Sequence, residues 1–292
     1  LQPVIAARKK PVVFYSYTLP SAFARGELAK AGVVALSGLT HVGVAMRRLV
    51  EYANARLAPQ GELPALPARD LAAHLSSAAL SEFDSKALLG AAGIALPIEA
   101  LVTTREELDA AVARTGFPLV MKIQSRDIPH KSEVGGVRVN VATRGEAFTA
   151  YGTLLDNARK HRPDAAIQGV LVGPMAQKGV EIIVGTLQDR TFGPMIMVGL
   201  GGITTELFRD VIYRPAPVSA AEASAMLASL KAAPLLNGFR GAAKADVAAL
   251  AQLISQVSVL AARYSERISE IELNPVLVHG EGQGVTIVDA LV

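Results

Sequence analysis

Five short apolar runs crowd the middle of the chain, and their spacing limits its fold more than any other feature. Pro118–Ile123, Val137–Val141, Ile167–Val172, Val180–Thr186 and Met195–Gly199 are too short for stable helices and read as strands. One helical pattern, Gly145–Lys160, falls inside the cluster. Two more, 219–232 and 245–264, follow it before Ile268–Leu273 and Val285–Asp289 return to strand patterns. A simple barrel would alternate strand and helix throughout. A central strand cluster that reappears at the end instead predicts an α/β fold, α+β in its larger part. Ahead of the cluster, Ser81–Ala92 reads as a helix stopped by Gly93, Ile98–Val102 as a strand, and Thr104–Thr115 as a helix. Thr104 and Glu107 have capping-box spacing, in which each side chain satisfies a backbone N–H at the helix start.

The first 58 residues follow another plan. Pro11–Tyr17 and Gly32–Leu36 read as strands, Ser21–Ala31 and His41–Leu57 as helices. This β-α-β-α order predicts a piece of parallel sheet, too small to cover both of its faces. Another segment or chain is expected to complete it. Pro59–Pro67, with three prolines and one glycine, marks a linker. The expected organisation is 1–58, a linker over 59–77, and a larger domain over 78–292.

Cysteine is absent, which excludes disulfides, thiolate catalysis and cysteine-held metals. The net charge of +3 is local: residues 1–50 carry seven basic side chains and one acidic one, so the remainder is acidic. That argues against a nucleic-acid surface spread over the protein. Uncharged stretches reach 16 residues and contain polar side chains, so no membrane span is expected. The chain opens Leu1-Gln2-Pro3-Val4 without the ordered parts of a signal peptide. The expectation is a piece of a longer or processed protein, cytoplasmic in location.

Three segments carry candidate chemistry. Lys122 lies inside an apolar strand, where an unpaired ammonium costs several kcal/mol, so a phosphate partner or a wet strand edge must explain it. His130 and Lys131 follow, then Gly135-Gly136, where a tight turn could approach a polyphosphate. A neutral imidazole can accept a phosphoryl group, although a lone loop histidine is more often simply solvated. The second segment is Gly199-Leu200-Gly201-Gly202, a turn whose backbone N–H groups could hold phosphate oxygens, followed by Glu206, Arg209, Asp210 and Arg214. It is neither a GxGxxG nor a GxxxxGK[ST] loop. The third is Glu270-Ile271-Glu272-Leu273-Asn274-Pro275 with Asp289 beyond it. Alternation puts Glu270 and Glu272 on one strand face, Pro275 should end the strand, and Asn274 with Asp289 offers oxygen ligands that suit Mg²⁺. An ordinary acidic strand followed by a turn fits the same residues. Together these parts suit phosphoryl transfer with a nucleotide.

These motifs resemble a known family. Leu80-Ser81-Glu82-Phe83-Asp84-Ser85-Lys86 is similar to the opening helix of the ATP-grasp portion of ADP-forming acyl-CoA synthetases, relatives of succinyl-CoA synthetase. Lys122, Asp127-Ile128, His130-Lys131-Ser132 and Gly135-Gly136-Val137 resemble its most diagnostic stretch. Glu181-Ile182-Ile183-Val184-Gly185, Phe192-Gly193-Pro194, Gly199 to Gly202, Tyr213-Arg214 and Glu272-Leu273-Asn274-Pro275 continue the match. Residues 1–58 look like the end of the family's CoA-ligase domain, a flavodoxin-like or Rossmann-like parallel sheet. The resemblance implies ATP or ADP with Mg²⁺ as cofactors, and CoA as a substrate held mainly outside this chain. It also implies an upstream region or separate subunit as partner, and a small carboxylic acid or acyl-CoA as the other substrate.

By the same comparison His130 carries a phosphoryl group to the nucleotide and Arg214 clamps phosphate. Lys122, Lys131, Gly135, Gly136, Glu181, Gly201 and Gly202 bind cofactor, with Val170 and Val172 beside the adenine hinge. Asn274 and Asp289 ligate the metal. Gly173-Pro174 stands where the family pattern has a Gln-Glu pair, which leaves the adenine contacts open. Two other readings remain: a ligase acting through a direct acyl phosphate, and a non-catalytic nucleotide-sensing module.

Overall fold

The structure, a computed structural model, describes residues 13–33, 35–57, 61–67, 71–75, 79–202 and 210–292. It divides into two compact units, Leu1–Pro59 and Gln60–Val292. In the first unit β1 (Phe14–Ser16) and β2 (Ala35–Ser37) pair in parallel, with Phe14 opposite Ala35. Helix α1 (Ala22–Lys30) connects them, and α2 (Leu39–Leu57) follows. Ser21 starts α1 by accepting the Ala24 N–H at 3.2 Å. The β-α-β-α reading therefore holds for the described part. Pro11, Val12 and Val34 of the expected strands lie outside the described residues. Phe23 and Leu39 are 79% and 67% exposed, so this unit does not cover its own apolar side chains.

The second unit is built on two sheets. In the smaller, β3 (Ala100–Val102), β6 (Gly169–Pro174), β4 (Leu119–Gln124) and β5 (Val137–Val141) lie in that spatial order, each neighbour antiparallel. Helix α3 (Glu82–Ala91) precedes it. Helices α4 (Arg105–Thr115) and α5 (Arg144–His161) supply Leu108, Val112 and Leu154 to a core shared with Met121, Ile123, Val170 and Val172. The capping box is present: Thr104 accepts the Glu107 N–H at 3.2 Å and Glu107 accepts the Thr104 N–H at 3.2 Å.

The larger sheet holds β7 (Val180–Asp189), β8 (Gly193–Leu200), β9 (Val211–Pro215), β10 (Glu270–Val278), β11 (Val285–Ile287) and β12 (Ala290–Leu291). Its order is β11-β10-β7-β8-β9, with β12 also paired to β10. Helices α6 (Ala220–Ala228), α7 (Ala233–Leu236) and α8 (Val247–Arg263) follow β9. Leu250, Ile254 and Val257 of α8 are fully buried in a core with Ile182, Val184, Ile196 and Ile271. Each such side chain gains about 1.5–3 kcal/mol by leaving water.

Three expectations need correction. Pro275 does not end its strand: β10 continues to Val278 because the register shifts between Leu273 and Val276, and this bulge spares proline a ladder bond it cannot donate. The helix expected over 219–232 stops at Ala228, and a separate short helix, α7, begins at Ala233 with Pro234 in its first turn. The stretch 59–77 is not simply a linker, since the second unit begins at Gln60, Leu71 is 2% exposed in its core, and Leu66 and Leu75 pack against that core. Proline spacing marked the boundary, but Leu66 among those prolines and Leu71 and Leu75 just after them carry enough apolar surface to dock.

Candidate active site

Ser81 begins α3 by accepting the Asp84 N–H at 3.2 Å, which fixes Glu82 in the first turn. The Glu82 side chain is 1% exposed, a position a carboxylate tolerates only when paired. Three ammonium groups reach it from three elements. Lys122 of β4 lies 2.7 Å from Oε1, Lys86 one helical turn along α3 lies 2.8 Å from Oε1, and Lys131 lies 3.1 Å from Oε2. The backbone oxygen of Val288 accepts from both Lys122, at 2.7 Å, and Lys86, at 2.9 Å. Glu99 takes a further bond from Lys86 at 2.8 Å, and Asp289 one from Lys131 at 3.1 Å. Three lysines thus meet three carboxylates. Burial alone would raise the Glu82 carboxyl, but Lys122, Lys86 and Lys131 outweigh it and hold the group well below the usual carboxylate range. Burial would likewise lower Lys86 and Lys131, yet Glu82 and the second carboxylate of each raise both. Glu99 and Asp289 are raised, chiefly by burial.

Two cavities flank this cluster. The larger, about 570 Å³, lies between the two sheets of the second unit. Val120, Leu277 and Ile287 make apolar walls, Lys122, Glu99 and Glu181 supply charge, and the β6–β7 connection from Pro174 to Gln177 closes one side. An apolar slot with a few convergent polar groups suits a flat base attached to phosphates. The smaller, about 340 Å³, is lined by His130, Lys131, Ser125, Glu272, Asn274 and Asp289 among others. His130 is exposed there, immediately before the 3₁₀ turn Lys131–Val134. The Asn274 N–H donates to the Asp289 backbone oxygen at 3.1 Å, which sets the two residues side by side. Asn274 Nδ2 donates to Glu272 at 3.0 Å, leaving the amide oxygen as the atom available to a cation. These are hard oxygen donors, the kind Mg²⁺ takes, usually with water and phosphate oxygens completing its shell. Among the described residues no group of three His, Cys, Asp or Glu side chains is arranged to hold a metal by itself.

The expected residues separate into those that converge and those that do not. Lys122 and Glu181 line the larger cavity, and His130, Lys131, Asn274 and Asp289 the smaller. Gly201 donates its N–H to the Glu181 backbone oxygen at 2.7 Å, and at Gly202, with φ at +74°, a Cβ would stand 2.7 Å from Glu181 Oε2. Both glycines therefore act through Glu181. Gly135 and Gly136 line neither cavity. A Cβ at Gly136 would stand 2.6 Å from Ile123 Cγ2 and 2.9 Å from the Lys131 backbone oxygen, so that glycine lets the turn close on β4 rather than admit a polyphosphate.

Val170 and Val172 are buried in the helix-side core, because strand alternation gives the cavity face of β6 to Leu171 and Gly173, opposite Lys122 and Val120. Gly173 is explained there: its Cβ would lie 2.7 Å from Glu99 Cγ. Arg214 lies apart on the edge strand β9, exposed, donating to the Tyr213 backbone oxygen at 2.9 Å. Asp210 accepts the N–H groups of Lys231 and Ala232, at 3.0 and 2.8 Å, a structural task. Glu206 and Arg209 lie outside the described residues.

Sequence reasoning missed the pairing of Glu82, Lys86 and Glu99. It sought an external anion for Lys122, whereas the chain supplies one. The available signal was Glu82 and Lys86 four apart on a helix whose other face is apolar.

Residues 72–292 match the ATP-grasp domain family. The β subunit of acetate–CoA ligase [ADP-forming] II from Pyrococcus furiosus is 39% identical over 212 residues, 73% of this chain and 90% of that protein. A trans-feruloyl-CoA synthase from an unknown prokaryotic organism is 36% identical over 288 residues, 97% of this chain but 40% of that protein. Among solved structures, the dinucleotide-forming acetyl-coenzyme A synthetase 1 of Ca. Korarchaeum cryptofilum with coenzyme A, Ca-AMPCP and HgCl⁺ aligns with a TM-score of 0.69 at 39% identity, covering 73% of this chain and 92% of that one. The same enzyme with Mg-AMPPCP, its phosphohistidine segment pointing towards the nucleotide binding site, aligns with a TM-score of 0.60 at 36% identity, covering 72% and 90%. The match of residues 72–292 to the ATP-grasp domain family, with 39% identity across 90% of an ADP-forming acetate–CoA ligase β subunit, places this chain in the family of ADP-forming acid–CoA ligases.

Proposed function

We propose that this chain is the nucleotide-binding and phosphoryl-transferring portion of an ADP-forming acid–CoA ligase, interconverting acyl-CoA, ADP and phosphate with acid, CoA and ATP. One observation carries the reading. Glu82 ties the lysine of the larger cavity to the lysine of the smaller, where His130, Asn274 and Asp289 meet. The larger cavity takes the nucleotide, with its apolar walls on the base, Lys122 on phosphate and Glu181 on the ribose-facing rim. Asn274 and Asp289 hold Mg²⁺, which supplies neutralisation of phosphate charge when bound.

His130 is exposed at the smaller cavity, so its imidazole can meet a phosphoryl group arriving from a partner and pass it to the nucleotide side. The lone pair of the neutral ring forms the N–P bond as the bond to the leaving oxygen breaks. Lys131 beside it offsets the incoming negative charge. Arg214, away from both cavities, is assigned no part in this step.

The partner is a CoA-binding region, upstream in the same polypeptide or a separate subunit, as the β-subunit relative and the longer trans-feruloyl-CoA synthase illustrate. CoA and a small carboxylic acid bind chiefly there. The exposed apolar side chains of the first unit support its completion by such a region. No helix of the described residues is long and apolar enough to cross a membrane, and the lack of cysteine fits a cytoplasmic enzyme.

The test is intact-mass analysis of the chain after incubation with ATP and Mg²⁺, beside His130→Ala, repeated with a CoA-binding subunit supplied. An acid-labile phosphoryl adduct that needs His130 is expected. An adduct that survives His130→Ala, or none under either condition, overturns the relay and favours a direct acyl-phosphate ligase or a binding module.

A further inference from the structure

Lys131 differs from the other two lysines of the cluster in where its second carboxylate lies. Its ammonium spans Glu82 Oε2 at 3.1 Å and Asp289 Oδ2 and Oδ1 at 3.1 and 3.3 Å. The Glu82 side chain is 1% exposed and forms part of the wall, whereas the Asp289 side chain is 37% exposed and opens on the smaller cavity. Asp289 Oδ1 also accepts the Ala290 N–H at 2.9 Å, which holds the carboxylate in place. A monovalent cation on a flexible four-carbon stem therefore sits on a fixed, accessible carboxylate next to Asn274 and Glu272. It is anchored from behind by a second carboxylate that solvent does not reach.

We propose that the Lys131 ammonium is an exchangeable counterion: it neutralises Asp289 until a divalent cation takes that carboxylate, and is then retained by Glu82 beside His130. This rests on the reading of Asp289 as a cation ligand. An ammonium within 3.3 Å of both Asp289 oxygens repels a divalent ion approaching the same oxygens, so it lowers the site's affinity before any ligand is bound. Displaced from Asp289, the same charge has one remaining carboxylate within reach, and is freer to meet an anion entering the cavity that His130 lines. The exchange couples cation arrival to anion capture without a change of backbone. Lys122 and Lys86 are unsuited to the part, since both spend a bond on the Val288 carbonyl and neither touches Asp289 in the structure.

The experiment is titration of the full chain with Mn²⁺ in the absence of nucleotide, reading free Mn²⁺ by electron paramagnetic resonance. Lys131→Met is expected to bind Mn²⁺ on the order of tenfold more tightly than the unmodified chain. Lys131→Gln, which keeps a polar group against Glu82, should shift affinity the same way, and Lys131→Arg should not. Asp289→Asn should abolish the tight site, alone and in combination with Lys131→Met. Unchanged or weaker binding in both Lys131→Met and Lys131→Gln, with Asp289→Asn still abolishing the site, overturns the counterion role and leaves the Asp289 assignment standing. Binding that Asp289→Asn does not weaken removes the assignment and the inference together.

Discussion

Replacing Glu82 with Gln keeps the side chain's shape and removes the one charge common to three lysines. After the change Lys86 retains Glu99 and Lys131 retains Asp289, so both keep a carboxylate. Lys122 does not: the Val288 carbonyl at 2.7 Å is its other acceptor in the structure, and its side chain is 6% exposed. The substitution therefore strands about one buried charge, and breaking a buried pair from one side costs about 3–5 kcal/mol. Urea unfolding followed by circular dichroism at pH 7 should show a loss of that size. The pH dependence follows from the depressed Glu82 carboxyl. A carboxyl depressed on folding stabilises the protein above its unfolded value, about 4.3, and loses that contribution as pH falls towards its folded value. The gap between the two proteins should thus be constant from pH 5 to 8 and narrow by about 1.4 kcal/mol per unit below about pH 4. A difference under about 1 kcal/mol at pH 7, or one that does not shrink in acid, would refute the account of Glu82 as the shared anion.

Leu250→Ala, at a fully buried site of α8, should cost about 2–5 kcal/mol in the same unfolding assay. Gly136→Ala places a methyl group 2.6 Å from Ile123 Cγ2 and 2.9 Å from a backbone oxygen, and should lower stability by about 1–3 kcal/mol, with a melting temperature several degrees lower. Gly173→Ala puts a methyl group 2.7 Å from Glu99 Cγ and should push that carboxylate off Lys86. The readout is isothermal titration with ADP, expected to weaken several-fold, while Gly145→Ala, which meets nothing within 4 Å, leaves it unchanged.

Much of the fold was legible because hydrophobic period is a local property. The strands at 118–123, 137–141, 180–186 and 195–199 and the capped helix after Thr104 were all readable from short windows. What escaped was set by neighbours. Pro275 sits inside a strand because β7 accommodates a bulge, which no window around Asn274 reveals. Strand β9, with Arg214 and Pro215 closing a five-residue run, is not among the strands expected from sequence and is defined by its pairing with β8. Leu71 looks like part of a linker until its core is assembled. The site shows the same division. His130, Lys131, Asn274 and Asp289 were nominated by residue type and found on one cavity, whereas Val170 and Val172, nominated through the family resemblance, have their side chains buried in the helix-side core.

The missed residue explains why the nominated ones can share a site at all. Lys122 and Lys131 belong to different segments and must both point inward where an anion is to bind. With no ligand present, two buried ammonium groups would repel each other and each would bear the cost of leaving water. Glu82 removes that obstacle by accepting both, and Lys86 is restrained in turn by Glu99. The resulting cluster is neutral as a whole, so its lysines find their counter-charge within the chain. It is also asymmetric, because its anions at the rear are buried and Asp289 at the front is open. On the proposed function, an incoming phosphate meets cations already oriented, with little reorganisation left to do, which is the condition under which fixed charges stabilise a transferring phosphoryl group most effectively. A lysine buried in a strand and proposed to bind phosphate thus calls for a permanent carboxylate behind it as well as for a ligand in front, and the search for one partner should not end the search for the other.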